Sequence, residues 1–431
     1  MEEAVNTASL LCCGARYPAP RDAHKECFVG AIERFIILLI LAAVATVVAR
    51  RVGLSYALAL LLLGLGLGAS GLVPPPALSS RVILLLFLPP LLFEAAFALD
   101  LPLLWARRRG VLALAFPGTL LATAVGGALL HRALGLPWAL ALLFGATIAA
   151  VDPVAVLATF RQLRVDHRLA VLLEGESLFN DGVALVLFTT LVGAVGGEFQ
   201  LGQAVGTFAL SVAGGAAIGL AIGWIGHKLI ALADEHLTEM AVSVAVAYGA
   251  FLAAEELHLS GVIATLAAGM ALSHLGRSRG WVFTGGSAQV LDDLWAFLAF
   301  VANAALFLLM GLAVRTTGLL AHPEYVGWGI AAALAGRAAV AYGLGAALHA
   351  VGVRLPWPER HVLFWGGLRG AVALAAALSL PPDFPARAQL MALTYGVVLF
   401  TILVQGLTIG PLVRRLGLTA TGADASGTDC P

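Results

Sequence analysis

Two stretches near the middle of the chain carry acidic residues inside otherwise apolar sequence. Asp152 lies in ATIAAVDPVAVLATF (146–160), and Glu176 and Asp181 lie in LEGESLFNDGVALVLF (173–188). An ionised carboxylate at the centre of a bilayer costs roughly 2.5–3.5 kcal/mol on insertion scales, so an acid inside a membrane span is a candidate for function. Groups of this kind bind cations or carry protons.

The composition is that of a membrane protein. Hydrophobic residues make up 60% of the 431 residues, charged residues only 12%, and the mean hydropathy is +0.95. Soluble domains are nearer a quarter charged. The formal net charge of zero argues against a nucleic-acid partner.

Apolar runs of about 20 residues can cross roughly 30 Å of hydrocarbon as helices. Short connections separate them, so no soluble domain is inserted. Thirteen such spans are predicted, near residues 33–49, 53–71, 82–99, 111–130, 137–159, 169–194, 203–226, 237–254, 259–275, 293–314, 325–350, 361–380 and 388–412.

Two of the predicted spans should be interrupted. In the fifth, Pro153 follows Asp152 and removes a backbone donor. In the twelfth, WGGLRGA (365–371) places three glycines around Arg369. Paired interruptions in the two halves of a chain are typical of transporters built from inverted repeats. The sequence therefore predicts an all-α polytopic membrane protein of about 13 transmembrane helices, with two inverted six-helix repeats and broken crossing helices.

Positive charge is concentrated on one side of the predicted spans. Fifteen Lys and Arg residues follow odd-numbered spans, against eight on the other side. Because short cytoplasmic loops are rich in Lys and Arg, the N-terminus should be outside and the C-terminus cytoplasmic. We divide the chain into an N-terminal extracytoplasmic segment (1–32), a transmembrane domain (33–416) and a disordered cytoplasmic tail (417–431).

The four cysteines lie near the chain ends, at Cys12, Cys13, Cys27 and Cys430. A bridge from Cys12 or Cys13 to Cys27 would need an oxidising space around the N-terminus. We interpret all four as free thiols.

The second acidic stretch divides its side chains between two faces of one helix. Ser177 and Asp181 are four residues apart and share a face, whereas Glu176 and Asp181 point roughly 140° apart at about 100° per residue. Asp181 and Ser177 can therefore face the broken fifth span. Glu176 should then meet a cation, and the two arginines inside spans, Arg337 and Arg369, are the candidates.

The acids inside the spans outnumber these two arginines, which leaves room for a metal cation or for protons. A hard monovalent cation prefers several oxygen ligands, and Asp152, Asp181, Ser177 and the backbone carbonyl of Val151 could supply them. Desolvation and a nearby carboxylate both raise the pKa of a carboxyl group. Such a group can hold a proton or a cation, but not both, and this competition is the basis of proton/cation exchange.

Three further polar residues lie inside or near the spans. Glu94 either faces the same cavity or lies at an interface. We place Glu174 near the cytoplasmic mouth in a structural role, and we expect Asn303 to make an interhelical hydrogen bond. The sequence shows no metal-ligand spacing, phosphate loop or nucleotide fold, so we expect no cofactor and no enzymatic activity.

At these residues the sequence resembles the monovalent cation/proton antiporter-1 family, the sodium/proton exchangers. The similarity runs over most of the chain from about residue 33, and the pair VDPVAVLA and GESLFNDG in that order is highly specific. Five stretches carry it: LPPLLFEAAF (88–97), ATIAAVDPVAVLATF (146–160), LEGESLFNDGVALVLF (173–188), LDDLWAFLAFVANAALFLLMGL (291–312) and WGGLRGAVALAAALSLP (365–381).

The resemblance implies a thirteen-helix antiporter, a homodimer with a mobile core domain and a dimerisation domain. It makes Asp181 the main cation and proton carrier and matches Asp152, Ser177 and the carbonyl of Val151 to further ligand positions. Glu94 matches an acid that touches the ion through water.

The resemblance also assigns supporting residues. Glu176 matches an acid that pairs with an arginine, here Arg337, and Arg369 is a supporting residue between glycines. Asn180 stands where electrogenic relatives carry a second Asp, which suggests one proton exchanged per cation.

We therefore expect an electroneutral sodium (or lithium)/proton antiporter of a bacterial inner membrane, with monovalent cations, protons and membrane lipid as its partners. The close alternative is potassium/proton exchange. Two other classes remain: a cation channel with acidic rings, and an intramembrane aspartyl protease using Asp152 and Asp181 as a dyad.

Overall fold

The computed structural model describes residues 40–49, 51, 56–70, 80–195, 201–232, 235–278, 287–312, 319, 321–381 and 383–419. The predicted N-terminal segment 1–32 and all four cysteines lie outside these residues. Of the predicted tail, residues 417–419 are described, and Thr419 forms an isolated antiparallel bridge with Val165.

The described residues are folded as helices, with no β-strand among them. In chain order the helices are α1 (Ile40–Ala49), α2 (Tyr56–Ser70), α3 (Ser80–Ala98), α4 (Leu101–Leu134), α5 (Trp138–Thr147), α6 (Val154–Leu163), α7 (His167–Val195), α8 (Leu201–Ile230), α9 (His236–Glu256), α10 (Gly261–Ser278), α11 (Ser287–Leu312), α12 (Pro323–Ala338), α13 (Trp357–Trp365), α14 (Ala371–Leu378), α15 (Arg387–Phe400) and α16 (Gly406–Arg415).

Two π-helical turns lengthen the last long helices. The turn Ala339–Leu344 continues α12 into the short pieces Gly345–Ala347 and Leu348–Val351, and the turn Thr401–Gln405 joins α15 to α16. In the described residues, seven helices are long and apolar enough to cross a membrane.

Each of the thirteen predicted spans corresponds to a helix or to a broken helix. The fifth span consists of α5 and α6, which are separated at residues 148–153, and the twelfth consists of α13 and α14, which are separated at residues 366–370. The predicted all-α architecture and both predicted interruptions are confirmed.

The helices pack as two groups. The first group contains α4, α5, α7, α12 and α15, and the second contains α2, α3, α8, α9, α10 and α11. Close approaches at glycine allow this packing. A Cβ atom on Gly311 of α11 would lie 2.4 Å from backbone atoms of Gly64 and Leu65 in α2, so only glycine fits at this crossing.

The outer surface is apolar, as a lipid-facing surface must be. On α8, Val205, Leu210 and Leu220 are 59%, 66% and 54% exposed, while Glu176 and Arg337 are buried inside the bundle. A soluble protein shows the opposite distribution, because large apolar patches in water promote association. The fold therefore buries its charges and exposes its hydrophobic side chains, as a polytopic membrane protein does.

Candidate functional site

The two broken helices cross at their interruptions. The backbone N–H of Asp152, in the first break, donates a hydrogen bond of 2.8 Å to the carbonyl of Leu368, in the second. Four helix ends meet at this point, and helix ends leave backbone donors or acceptors without intrahelical partners. The crossing therefore gathers backbone donors and acceptors that need partners from outside their own helices, deep inside the protein.

A positively charged side chain lies at a C-terminal helix end of the crossing, and a negatively charged one lies at the N-terminal ends. The Arg369 guanidinium donates through Nη1 to the carbonyls of Ala149 (3.0 Å) and Ala150 (2.9 Å), which follow the C-terminal end of α5. Asp152 precedes α6 and contacts Gly370, the N-cap of α14. Because the N-terminal end of a helix favours negative charge and the C-terminal end favours positive charge, both residues stabilise the crossing.

The glycines around Arg369 are required by close contacts. A Cβ atom on Gly367 would lie 2.7 Å from Nε of Arg337, and one on Gly370 would lie 1.8 Å from Oδ2 of Asp152. No side chain fits in either place unless its neighbour moves. The WGGLRGA sequence therefore brings a backbone segment directly against two of the predicted site residues.

Asn180 connects three parts of the first helix group. Its Nδ2 donates to Oγ1 of Thr119 on α4 (2.8 Å), and its Oδ1 accepts from the backbone N–H of Val151 (3.1 Å). The Thr119 hydroxyl donates in turn to the carbonyl of Ala115. Both the nitrogen and the oxygen of the Asn180 amide thus help to hold the first break against α4 and α7.

This network predicts that Thr119→Val lowers protein stability. The change leaves the buried Asn180 amide without its acceptor, which should cost about 1–3 kcal/mol, seen as a lower midpoint of thermal denaturation in detergent. Thr123→Val is the matched control, because the Thr123 hydroxyl lies one turn away, is buried, and has no hydrogen-bond partner among the described residues. Equal midpoint shifts in the two variants would contradict the prediction.

Asp181 and Ser177 share one face of α7. Oδ1 of Asp181 accepts a hydrogen bond of 3.2 Å from the backbone N–H of Val151. The Ser177 hydroxyl is buried, with 1% of the residue exposed, and has no hydrogen-bond partner in the described part of the chain. A buried hydroxyl without a partner costs free energy, so it marks a place where an additional group would be stabilised.

A cavity of about 560 Å³ lies beside these residues. Its walls come from α6, α7 and α14, and from α2, α3 and α11 of the second helix group, so it lies at the boundary of the two groups. Among the described residues its charged and hydroxyl-bearing lining includes Glu94, Asp152, Arg161, Glu174, Ser177 and Asp181. Four carboxylates and one guanidinium therefore share one chamber.

Glu176 faces away from this cavity into the first helix group. The Arg337 guanidinium binds it at both carboxylate oxygens, with Nη2 to Oε2 at 3.0 Å and Nη1 to Oε1, and its Nε donates to the carbonyl of Leu363 (2.7 Å). Glu176 is 0% and Arg337 4% exposed. The structure thus places Glu176 against Arg337 rather than against Arg369.

The structure divides the predicted site residues into two sets. Glu94, Asp152, Ser177 and Asp181 line the cavity together. The others lie behind it and support it: Val151, Asn180, Glu176, Arg337 and Arg369. Val151 contributes its amide to the network, and it is not among the cavity-lining residues.

Three sequence interpretations differ from the structure. Asn303 makes no interhelical hydrogen bond with the described residues and lines the cavity instead. Arg161, one of the fifteen Lys and Arg residues counted after odd-numbered spans, lies in α6 and also lines the cavity. Glu174 lines the cavity too, in a helical stripe with Ser177 and Asp181, and this i, i+3, i+7 spacing was a legible signal.

The donor set is one of oxygen atoms. Among the described residues, no group of three or more His, Cys, Asp and Glu has the arrangement of a metal site. Carboxylate and hydroxyl oxygens suit hard cations, whereas transition metals favour imidazole and thiolate ligands. The cavity can therefore accept a hard cation, or protons on its carboxylates, as exchangeable cargo.

Comparison with known proteins decides the family. Residues 36–415 match the profile of the family described as sodium/hydrogen exchanger, transmembrane. The chain belongs to the sodium/hydrogen exchanger family. The predicted resemblance to these exchangers is confirmed, and it covers both broken helices and the whole cavity.

Individual members of the exchanger family agree with this assignment. The Na⁺/H⁺ antiporter NhaH of Halobacillus aidingensis is 36% identical over 89% of this chain and 97% of its own length. The Na⁺/H⁺ antiporter ApNhaP of Aphanothece halophytica is 39% identical over 84% of this chain and 70% of its own. The antiporter MjNhaP1 of Methanocaldococcus jannaschii shares the fold, with a TM-score of 0.74 at 20% identity, over 90% of this chain and 99% of its own.

Proposed function

We propose that this exchanger is an electroneutral sodium (or lithium)/proton antiporter. The observation that carries the proposal is the meeting of Asp152, Asp181 and the unpaired Ser177 hydroxyl at one cavity. Oxygen ligands of this kind hold a bare monovalent cation when the carboxylates are ionised, and they hold protons instead when the carboxylates are neutral. Relatives covering most of the chain are named Na⁺/H⁺ antiporters.

One-for-one exchange follows from the role of Asn180. An Asp at this position would add a second titratable group beside Asp181, whereas the Asn amide does not titrate and is hydrogen-bonded to Thr119 and Val151. The remaining proposed ligands are a water held by Glu94 and the carbonyl of Val151, which lies between the cavity-lining residues Ala150 and Asp152. Arrival of a sodium ion then requires loss of one proton from the site, and the net charge moved per cycle is zero.

Movement between the two helix groups supplies alternating access. The ion site lies at their boundary, and the first group is braced internally by the Glu176–Arg337 pair and by Arg369. Because these contacts join α7 and α12 of the first group to the two broken helices, these helices can shift together as a body while the site keeps its geometry. Ion gradients alone drive the cycle.

We also propose the setting in which the antiporter works. It lies in a bacterial inner membrane, surrounded by lipid, with its N-terminus outside and its C-terminus in the cytoplasm, as the excess of Lys and Arg on one side favours. It forms a homodimer through its second helix group, whose exposed apolar residues on α8 offer a large surface.

Purified protein in liposomes with an imposed pH gradient tests the function. Sodium, lithium and potassium are added in separate experiments, and the membrane voltage is clamped with valinomycin in the sodium and lithium arms. We expect sodium and lithium to collapse the gradient at a rate that does not depend on voltage. Collapse of the pH gradient by potassium alone would make potassium the transported cation. A cation current without proton coupling would indicate a channel. Absence of cation-dependent proton movement at every pH would overturn the proposal.

The contact between Gly370 and Asp152 gives a separate prediction. Gly370→Ala should reduce the exchange rate at least about tenfold, because the new methyl group must displace the Asp152 carboxylate from its place in the site. Gly249→Ala is the control, since a Cβ atom there meets nothing within 4 Å. Exchange rates are compared at equal amounts of folded protein in the liposomes, and parent-like exchange in Gly370→Ala would refute the prediction.

A further inference from the structure

Arg161 is a charge in the cavity that the proposed exchange does not use. It lies on the last turn of α6 and is exposed, and among the described residues it is the one basic side chain that lines the cavity. Two acids of the lining, Glu94 on α3 and Glu174 on α7, share the chamber with it. The cavity therefore contains its own positive charge.

This guanidinium is not locked to a partner. In the described part of the chain, Arg161 forms no hydrogen bond or close ion pair, and it interacts with Glu94 and Glu174 through the electrostatic field alone. A solvated charge of this kind acts through its field rather than through a contact. Two like charges that share a cavity repel each other, and a cavity with low-dielectric walls strengthens that repulsion relative to bulk water.

We propose that Arg161 is a tethered cation that repels the transported cation and thereby sets the affinity of the site. This inference rests on the proposed exchange function. The four cavity carboxylates alone would hold a sodium ion tightly and release it slowly. A fixed positive charge in the same chamber weakens the binding of sodium at Asp152 and Asp181 without coordinating the ion. Arg161 therefore sets the sodium concentration at which the site fills, and it is not itself a ligand.

The repulsion acts on protons as well as on sodium. Both carry one positive charge, so removal of Arg161 raises the affinity of the site for each by a similar factor. At acidic pH protons occupy the site and compete with sodium. The higher affinity for sodium and the higher affinity for protons then cancel in the apparent KM for sodium. At alkaline pH, where protons no longer compete, only the effect on sodium remains.

The other charged and titratable groups near the site are the same in every variant, so they cancel when variants are compared at one pH. Inside the cavity these are Glu94, Glu174 and the hydroxyl of Tyr56, and behind it lies Arg369. Beyond Glu174 lie Asp100 and His167, which are 3.4 Å apart.

The test measures the KM for sodium in liposomes across pH for Arg161→Gln, Arg161→Lys and Arg164→Gln. Arg164 is three residues away at the C-cap of α6, is exposed, and does not line the cavity, so its replacement removes the same charge from the same helix end. At alkaline pH we expect the KM of Arg161→Gln to fall about three- to tenfold. Arg161→Lys should keep the parent KM, and Arg164→Gln should change it less than about twofold.

Three patterns would overturn the inference. Equal KM changes in Arg161→Gln and Arg164→Gln would show a general surface potential, and an unchanged KM in Arg161→Gln would show no effect at all. A fall in KM of the same size at acidic and alkaline pH would contradict the shared repulsion of protons and sodium. Should Arg161→Gln not fold, Arg161→Met removes the same charge.

Exchange by the parent protein distinguishes failure of the Arg161 proposal from failure of the proposed exchange function. Parent protein without sodium/proton exchange refutes the proposed function, whereas exchange with no special effect at Arg161 refutes only the tethered cation. Stabilisation by sodium follows RT ln(1 + [Na⁺]/Kd), so the dependence of the thermal denaturation midpoint on sodium concentration gives the affinity without turnover. At alkaline pH the Kd fitted in this way should fall in Arg161→Gln by the same factor as the KM.

Discussion

Replacing Asp181 by Asn is expected to abolish sodium/proton exchange while leaving the folded protein intact. Asn has nearly the same shape, and its Oδ1 can still accept the hydrogen bond from the Val151 N–H that Asp181 accepts at 3.2 Å. The change therefore removes a charge and a titratable group but keeps the contact that holds the first break. Asp152 then remains as the one aspartate of the proposed ion site, and the site has lost the residue that the resemblance makes the main carrier of the cation and the proton.

Exchange by Asp181→Asn in liposomes should not exceed that of protein-free liposomes at any sodium concentration or pH. Asp293→Asn is the matched control, because Asp293 is an exposed acid on α11 and does not line the cavity. Both variants should elute as monodisperse protein with the parent's denaturation midpoint in the absence of sodium. The midpoint should rise with sodium in the control and stay constant in Asp181→Asn. Retained exchange would remove Asp181 from the site.

The positions of the helices and of both breaks could be predicted from the sequence, because the signals are local. Runs of apolar residues mark the spans, and Pro153 and the glycines of WGGLRGA mark the interruptions. Lipid allows backbone to leave the helix only where protein or a cavity covers it. Two local irregularities in the two halves of a chain therefore indicate one buried crossing.

The partners across that crossing are set by tertiary packing. Nothing in the sequence near Asn180 indicates that Thr119, 61 residues earlier, accepts its hydrogen bond. The sequence left Arg337 and Arg369 as alternatives for Glu176, and only the resemblance favoured Arg337. In the structure, Arg369 is instead held by backbone carbonyls at the end of α5.

Arg161 shows why a loop charge cannot be told from a cavity charge by spacing alone. The sequence places it at the end of an apolar run, where arginines usually anchor a helix at the membrane surface. The break at residues 148–153 starts a new short helix, and Leu157, Ala158 and Arg161 of that helix follow one another along the cavity wall. The orientation of α6 decides which face meets the cavity.

Breaking the Glu176–Arg337 pair from either side is expected to destabilise the protein, with unequal cost. Glu176→Gln leaves the Arg337 guanidinium buried without its counter-charge, which should cost about 3–5 kcal/mol and could prevent accumulation of folded protein. Arg337→Met should cost less, because a buried carboxyl can become neutral by binding a proton, whereas a guanidinium keeps its charge. The thermal denaturation midpoint in detergent measures both.

The double variant Glu176→Leu, Arg337→Met separates a structural role from a transport role. Replacing a buried ion pair by apolar residues of similar volume is often neutral or stabilising, so the double variant should recover much of the stability lost by Glu176→Gln. Neither side chain lines the cavity, so its exchange rate should stay within about tenfold of the parent. A stable double variant without exchange would mean that the pair takes part in ion movement, whereas parent-like stability in both single variants would mean that it does not brace the first helix group.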